Sequence, residues 1–368
     1  MRLLPLLILL AGAVELLGAA PGAPFETGIA AATDGGAHLT NAYPVIVPIS
    51  TGRLVLAYSV MPKDNPDGYI AARVSSDGGR TWSAEAKALD IQGKLDADPC
   101  LMWDGERVTV FSTTVPEKRT LIASSQMFAA SSTDGLHWSE PREIKLPWAY
   151  SVGKRHMVVR LLDGSFAMPI SWDLWAEQGT PARTEGEMDI ASGVLKSKDG
   201  QEWRAFGALH IFERKVRPSS TGGVCEPALV QLRDGELYML LRTGTNFLYE
   251  SRSRDNGLTW SEPQRSALVS HNTPAALWRL REHPEEIVVI FNHSPVNRYP
   301  LSVALSSDGG KTWSAPRDVA TSEGPQVSYP NIAQAEDGTI VAVWQAQRKE
   351  GGRDIKWARF TRDWVLGR

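Results

Sequence analysis

The residues best able to do chemistry stand at matching places in a recurring pattern. Tyr43, Asp98, Glu226 and Tyr329 each precede a proline and open a largely apolar run. Arg155-His156 and His271 stand at the openings of two more runs, and Arg242 closes the strand-like stretch after Glu226. Asp64, Asp67, Arg119, Arg298, Arg348 and Arg353 fall in the loops that follow such stretches. A guanidinium offers a planar fork of donors to a carboxylate and keeps its charge at physiological pH. Arginines gathered with carboxylates and phenols therefore suit an anionic ligand, acidic sugars included. Each residue also has a plain structural reading. Glu226, before Pro227, could cap backbone donors or pair with Arg242. Tyr329 could be pocket wall, and Arg298 and Arg353 could be solvated loop residues. Asp67-Gly68 also favours an ordinary turn. Arg155 and His156 are proposed from position alone.

These residues can share a pocket only if the elements carrying them converge, and the repeats say how. Ser75-Ser-Asp77-Gly-Gly79-Arg-Thr81-Trp82 recurs from Ser253 to Trp260 and from Ser306 to Trp313, with shortened copies at Ser132–Trp138 and Ser197–Trp203. Ser and Asp bond local N–H groups, Gly permits positive φ, and Trp packs the turn onto its strands. These stretches read as structural hairpin turns. Upstream of them lie six strand-turn-strand copies, beginning at Tyr43-Pro44, Asp98-Pro99, Arg155-His156, Glu226-Pro227, Thr273-Pro274 and Tyr329-Pro330. The pattern predicts an all-β chain of six four-stranded antiparallel blades, closing radially as a six-bladed β-propeller. A short strand near Thr27–Ala32 is expected to complete the last blade, which has no Ser-x-Asp turn after Phe360. Strand one starts at one mouth, strand two returns to it, and the loop to strand three lies there too. The Ser-x-Asp turns lie at the other mouth. Ligands favour the central funnel, so strand-one starts, strand-two ends and the following loops are the candidate pocket.

Composition narrows the function. With 39 basic and 42 acidic side chains the net charge is −3, which argues against a nucleic-acid partner. The 32 Gly and 23 Pro are near ordinary usage and exclude collagen-like or disordered classes. Residues 1–20 read as an export leader, with Arg2 before an apolar run and small residues Gly18 and Ala20 ahead of a cleavage site. A secreted or periplasmic location is expected, with residues 21–368 forming one propeller and no membrane attachment after cleavage. A monomer is expected. Cys100 and Cys225 sit in apolar strands of non-neighbouring blades and are expected to stay thiols. No His or Cys cluster has metal-ligand spacing and no glycine-rich phosphate loop is present, so no cofactor is expected. The loop from Trp172 to Asp189, with Trp175, Arg183, Glu185 and Glu187, is a candidate lid or sugar-stacking wall.

The five turns resemble the Asp-box, or BNR, repeat of the sialidase superfamily. The stretch from Cys225-Glu226-Pro227 through Leu241-Arg242-Thr243 to the Trp260 turn is similar to its sialidase-like BNR family, as are Arg298-Tyr-Pro-Leu and Ser328-Tyr329-Pro330. The resemblance covers about residues 35–362. It implies a glycosidase with a Tyr nucleophile, the exception among enzymes that use two carboxylates. Tyr329 would be that nucleophile and Glu226 its partner. Asp67 would be the acid/base, with Asp64 as competitor. Arg242 and Arg298 would hold the substrate carboxylate. Asp98, Arg155 and His156 would line the substrate site. A phenol suits this work because a carboxylate nucleophile would be repelled by the substrate's own carboxylate.

One departure is plain. The family pattern opens its first blade with Arg-Ile-Pro, where this chain reads Ala42-Tyr43-Pro44. The first arginine is missing, and Arg353, reaching in from the sixth blade, is the candidate replacement. Sialic acid, other acidic sugars and sulfated glycans all stay open as substrates. Three functions compete: an exported sialidase-type hydrolase, a glycan-binding propeller without catalysis, and a protein-interaction propeller. The last gives no reason for charges to converge at one mouth.

Overall fold

The computed structural model describes residues 24–33, 39–49, 52–62, 67–116, 125–146, 151–152, 157–174, 187–213, 215–321 and 324–368. The leader, Asp64, Arg119, Arg155, His156, Trp175, Arg183 and Glu185 lie outside them. The described chain is all-β apart from short helical turns, and its strands pair almost wholly antiparallel. The first sheet orders Leu39–Ile49, Arg53–Pro62, Tyr69–Ser75 and Ala86–Leu89. The second repeats that order with Lys94–Trp103, Val108–Pro116, Gln126–Ser132 and Arg142–Ile144.

A larger sheet follows, made of two antiparallel runs. In its first run Ser151–Val152 and Val159–Arg160 both pair with Phe166–Asp173, followed by Asp189–Ser197 and Arg204–Leu209. Its second run is Gly222–Gln231, Leu237–Thr243, Phe247–Ser253 and Gln264–Val269. Only a short parallel pairing of Asp189 and Ile190 with Gly222 and Gly223 joins the two. Next come Ala276–Arg279, Ile287–Asn292, Leu301–Ser306 and Arg317–Ala320. In the last sheet the N-terminal strand Phe25–Ala31 pairs outside Arg353–Phe360, beyond Ile340–Gln347 and Val327–Gln334. The N-terminal strand expected near Thr27–Ala32 is therefore present, two residues earlier at its start.

Each second strand is buried on both faces because a sheet packs on either side. Every residue of Phe166–Asp173 and of Leu237–Thr243 is buried. Apolar cores fill the gaps between neighbours, such as Val45, Val55, Leu101 and Val110 between the first and second sheets. Ile46, Leu56, Val341 and Ile355 likewise join the first sheet to the last. Fully burying each such side chain is worth about 1.5–3 kcal/mol, so the contact between chain ends is a strong clamp. Trp172, expected in a lid, belongs instead to the strand Phe166–Asp173 and is buried there. The alternation of that strand puts its indole between sheets.

The Ser-x-Asp turns show why their residues recur. Ser306 donates to Asp308 Oδ1 at 2.8 Å, and the hydroxyl also accepts from Gly310 N at 2.8 Å. Thr312 donates its N–H and hydroxyl to the same carboxylate at 2.9 and 2.6 Å. Gly310 has φ 89°, and a Cβ there would sit 2.7 Å from the Tyr238 ring. The turn thus leans on the preceding run of strands. Gly135 approaches Val55, Gly200 approaches Met102 and Gly257 approaches Val194 in the same way. The first sheet's turn leans on the last sheet, where Gly79 meets Val341. Arg359 Nη1 donates to the carbonyl of Asp77 at 3.0 Å and also to that of Gly78. The turns are therefore inter-sheet packing devices, and the sequence needs no catalytic role for them.

Candidate active site

The candidate residues are aimed by one backbone device used four times. Ala42 pairs with Ser59 and Val45 with Ala57, so Tyr43-Pro44 carries one extra residue. The same bulge occurs between Ala97 and Cys100, Cys225 and Ala228, and Ser328 and Asn331. Proline suits this place because a bulged N–H would lack a ladder partner. The residue before it is left-handed every time: Tyr43 φ 56°, Asp98 φ 50°, Glu226 φ 46° and Tyr329 φ 53°. A non-glycine residue held there costs on the order of 1–3 kcal/mol, and such strain persists only where the surroundings impose it. Neighbouring sheets help impose it. Tyr43 N donates to Gln345 Oε1 at 3.1 Å, and Glu226 N donates to Ser171 Oγ at 2.8 Å. Bulges re-aim side chains, and here they present a phenol, a carboxylate, another carboxylate and another phenol at one end of the strands.

Two cation pairs occupy that end. Arg242 Nη1 donates to Glu226 Oε2 at 2.8 Å, with both side chains 3% exposed. Arg298 Nη1 donates to the Tyr329 hydroxyl at 3.2 Å, its guanidinium lying 5.3 Å from the ring centre. Asn272 ties the pairs together. Its Oδ1 accepts from Arg242 Nε at 2.9 Å and its carbonyl from Arg298 Nη2 at 3.1 Å. Asn272 is itself left-handed, φ 42°, which asparagine tolerates better than most residues. Tyr43 stands edge-on to Tyr329 with ring centres 4.9 Å apart. A phenol, not a guanidinium, therefore flanks Tyr329 from the first sheet.

Three carboxylates of the first two sheets differ in setting. Asp67 is half-buried and accepts from Gly93 N at 3.1 Å. Asp98 is buried at its bulge. Asp96 is wholly buried, accepting from Ile91 N at 2.6 Å and from the Thr114 hydroxyl. Burial pushes the Asp96 carboxyl up to about 7, against the hydrogen bonds of Thr114 and Ile91, with Asp90 and Asp67 adding like charge. Sequence reading passed over Asp96. Arg353 begins an outer strand opposite Gln347, half-buried, and no hydrogen bond links it to Tyr329, Arg298 or Arg242 among the described residues. Arg348 is engaged by Asp354, at 2.7 and 2.8 Å.

Two further residues were missed by the sequence reading. Asn272 had only the faint signal of lying two residues before Pro274, at the opening of the fifth strand-turn-strand copy. Arg217 had none, because it lies in a connection between strands rather than in a repeat. Its Nη1 approaches His271 Nε2 at 3.3 Å and its Nη2 donates to the Val296 carbonyl at 3.1 Å. His271 Nδ1 lies 2.9 Å from Asn246 Oδ1. Burial, then the charges of Arg217, Arg298 and Arg242, holds the imidazole below its usual range. The end of the strands around Tyr329 is thus electropositive, with Glu226 buried inside it.

Comparison with known proteins agrees with this reading of the strands. The model of the BNR repeat-like domain family matches residues 92–341. A sialidase of Micromonospora viridifaciens is 26% identical over 359 residues, covering 88% of this chain and 52% of that protein. A sialidase of Bacteroides fragilis (strain YCH46) is 23% identical over 345 residues, covering 82% and 59%. The chain thus spans little more than half the length of these curated relatives. The structure of a Hadza microbial sialidase superposes with a TM-score of 0.72 at 18% identity, covering 89% of this chain and 66% of that one. The repeated turns, the four-stranded sheets and the matched two-thirds of the sequence lead to one conclusion: the chain belongs to the BNR repeat-like domain family of the sialidase superfamily.

Proposed function

We propose that the chain is a six-bladed propeller acting as a sialidase-type glycoside hydrolase on an anionic glycan. The sheet order supports the blade count, since the nine-stranded sheet splits into two runs at its short parallel pairing and the turn of the first sheet leans on the last. The observation that carries the reaction is the pairing of Tyr329 with Arg298 and of Glu226 with Arg242, bridged through Asn272. Tyr329 Oη attacks the anomeric carbon while the glycosidic C–O bond breaks. Glu226 takes the phenol proton, and Asp67 gives a proton to the leaving oxygen. A water then displaces the tyrosyl oxygen, with Asp67 taking its proton and Glu226 returning one to Tyr329. Arg298, already donating to the phenol, stabilises charge as it develops there. Asp98 lines the sugar site, and the chain works as an exported monomer.

A second reading, glycan binding without hydrolysis, draws on the missing arginine of the family's Arg-Ile-Pro, where this chain reads Ala42-Tyr43-Pro44. A panel of acidic glycans with reducing-end detection separates the two. Release of reducing ends that disappears in Tyr329→Phe supports hydrolysis. Binding of acidic sugars with no cleavage assigns the chain to the second reading.

A further inference from the structure

Ala42, where the family pattern has arginine, leaves the site one guanidinium short, and the structure offers another from a different direction. The segment from Lys215 to Thr221 is seated at the edge of the site. Val216 N donates to the Gly244 carbonyl at 2.9 Å, and Gly222 N donates to the Met188 carbonyl at 2.9 Å. The approach to Gly244 is close enough that a Cβ there would lie 2.7 Å from the Thr221 carbonyl oxygen. Within the segment Ser220 N donates to the Arg217 carbonyl at 3.0 Å. At its far end the Thr221 hydroxyl lies 3.5 Å from Arg242 Nη2. The loop that carries Arg217 therefore touches the arginine paired with Glu226.

Arg217 itself is anchored but not neutralised. Its two described partners, His271 Nε2 and the Val296 carbonyl, are uncharged acceptors, and no carboxylate pairs with it among the described residues. A guanidinium has five N–H donors, so three remain for a ligand. His271 and Asn272 are consecutive, and between them they contact all three guanidiniums of Arg217, Arg242 and Arg298. Of the other basic candidates, Arg348 is already spent on Asp354.

We infer that Arg217 supplies the third cation of the site and holds the carboxylate of an acidic sugar together with Arg298 and Arg242. It fills the role of the arginine missing at Ala42, and the inference rests on the acidic-glycan reading above. A cation brought in by the Lys215–Thr221 loop, between the strands Arg204–Leu209 and Gly222–Gln231, grips the anion in place of one from the first sheet. Specificity for the acid then resides in a loop that the repeat pattern does not dictate. Tyr43 contributes a neutral phenol edge beside Tyr329.

The test is calorimetric titration of the full chain with N-acetylneuraminate, with galacturonate, and with the methyl ester of each. Arg217→Met is compared with wild type, with Arg353→Met, and with Lys198→Met, an exposed lysine in a distant turn that removes the same charge. Thermal unfolding of each variant checks that it is folded. The expected result is a loss of about fivefold in affinity for the better acid in Arg217→Met, with the ester unchanged, since an ion pair made by an exposed guanidinium is worth at most roughly that factor. Lys198→Met keeps wild-type affinity. Wild-type affinity in Arg217→Met, or equal loss for acid and ester, overturns the inference while the glycan reading stands. So does loss confined to Arg353→Met. Failure of the wild type to bind either acid overturns both.

Discussion

Glu226 and Arg242 form a buried ion pair across one bulge, Oε2 to Nη1 2.8 Å, on adjacent strands of one sheet. Removing one partner of such a pair strands a charge away from water, which costs about 3–5 kcal/mol. Arg242→Met should lower the unfolding free energy, read from denaturant titration, by that amount and weaken both binding and turnover. Glu226→Gln keeps the shape and a hydrogen-bond acceptor for Arg242. It leaves the Arg242 guanidinium buried without a counter-charge, so it should cost stability on the same scale, and it should cut turnover by about 10²–10⁴-fold, the worth of a general base. Wild-type turnover in a folded Glu226→Gln would contradict the general-base role.

Tyr329→Phe removes only the hydroxyl that accepts from Arg298. The ring keeps its edge contact with Tyr43, so the pocket wall is retained. Turnover of an acidic glycan should be lost while binding of the acidic sugar is largely kept. Full activity in this variant, on a substrate that the wild type cleaves, would exclude a tyrosine nucleophile.

Asp96 gives the protein a pH dependence of definite sign. Its carboxyl is raised to about 7 in the fold, chiefly by burial, whereas an unfolded Asp titrates near 3.8. Between those values the folded chain holds a proton that the unfolded chain has lost. Its contribution to stability is therefore greatest at low pH and falls as pH rises from about 4 to about 7. Urea midpoints measured at pH 5 and pH 8 should show this fall for wild type, superimposed on other groups. Asp96→Asn, which copies the neutral form, should reduce the difference. An unchanged pH profile in that variant would show that Asp96 is ionised in the folded protein.

Two glycines with nearly the same backbone separate strain from packing. Gly310 has φ 89° and a Cβ there meets the Tyr238 ring at 2.7 Å, while Gly235 has φ 92° and open space around it. Gly235→Ala should cost about 1 kcal/mol, the left-handed penalty alone. Gly310→Ala should cost about 1–3 kcal/mol more, because the turn must lift off Tyr238. Equal losses by chemical denaturation would mean that the turn does not bear on the neighbouring strands.

Cys100 and Cys225 are both buried, on strands of different sheets. Neither should react with a thiol reagent in the native protein, and both should react after unfolding without added reductant. Reaction only after reduction would reveal a disulfide and contradict the strand placement.

The local repeats made most of the fold legible in advance. Serine, aspartate, glycine and tryptophan at fixed offsets describe a turn that closes on itself within a few residues, so the sequence suffices to read it. The recurring X-Pro starts located Tyr43, Asp98, Glu226 and Tyr329 at equivalent places for the same reason. Their left-handed backbone was not legible, since Tyr and Glu have no preference for it. That conformation depends on acceptors from another sheet, such as Gln345 for Tyr43 N across 302 residues of sequence.

The sequence by itself determined the all-β class, the turns, the N-terminal strand that completes the last sheet, and the residue types available at one end of the strands. Tertiary structure alone decided how those residues pair. It placed Trp172 between sheets rather than in a lid, buried Asp96, made Asn272 the link between Arg242 and Arg298, and brought Arg217 to His271. Turns and alternating strands follow from short-range sterics and hydrogen bonding, which a sequence displays directly. Partnerships between side chains on different sheets follow from how the sheets close on one another, and that is fixed only when the first sheet packs against the last.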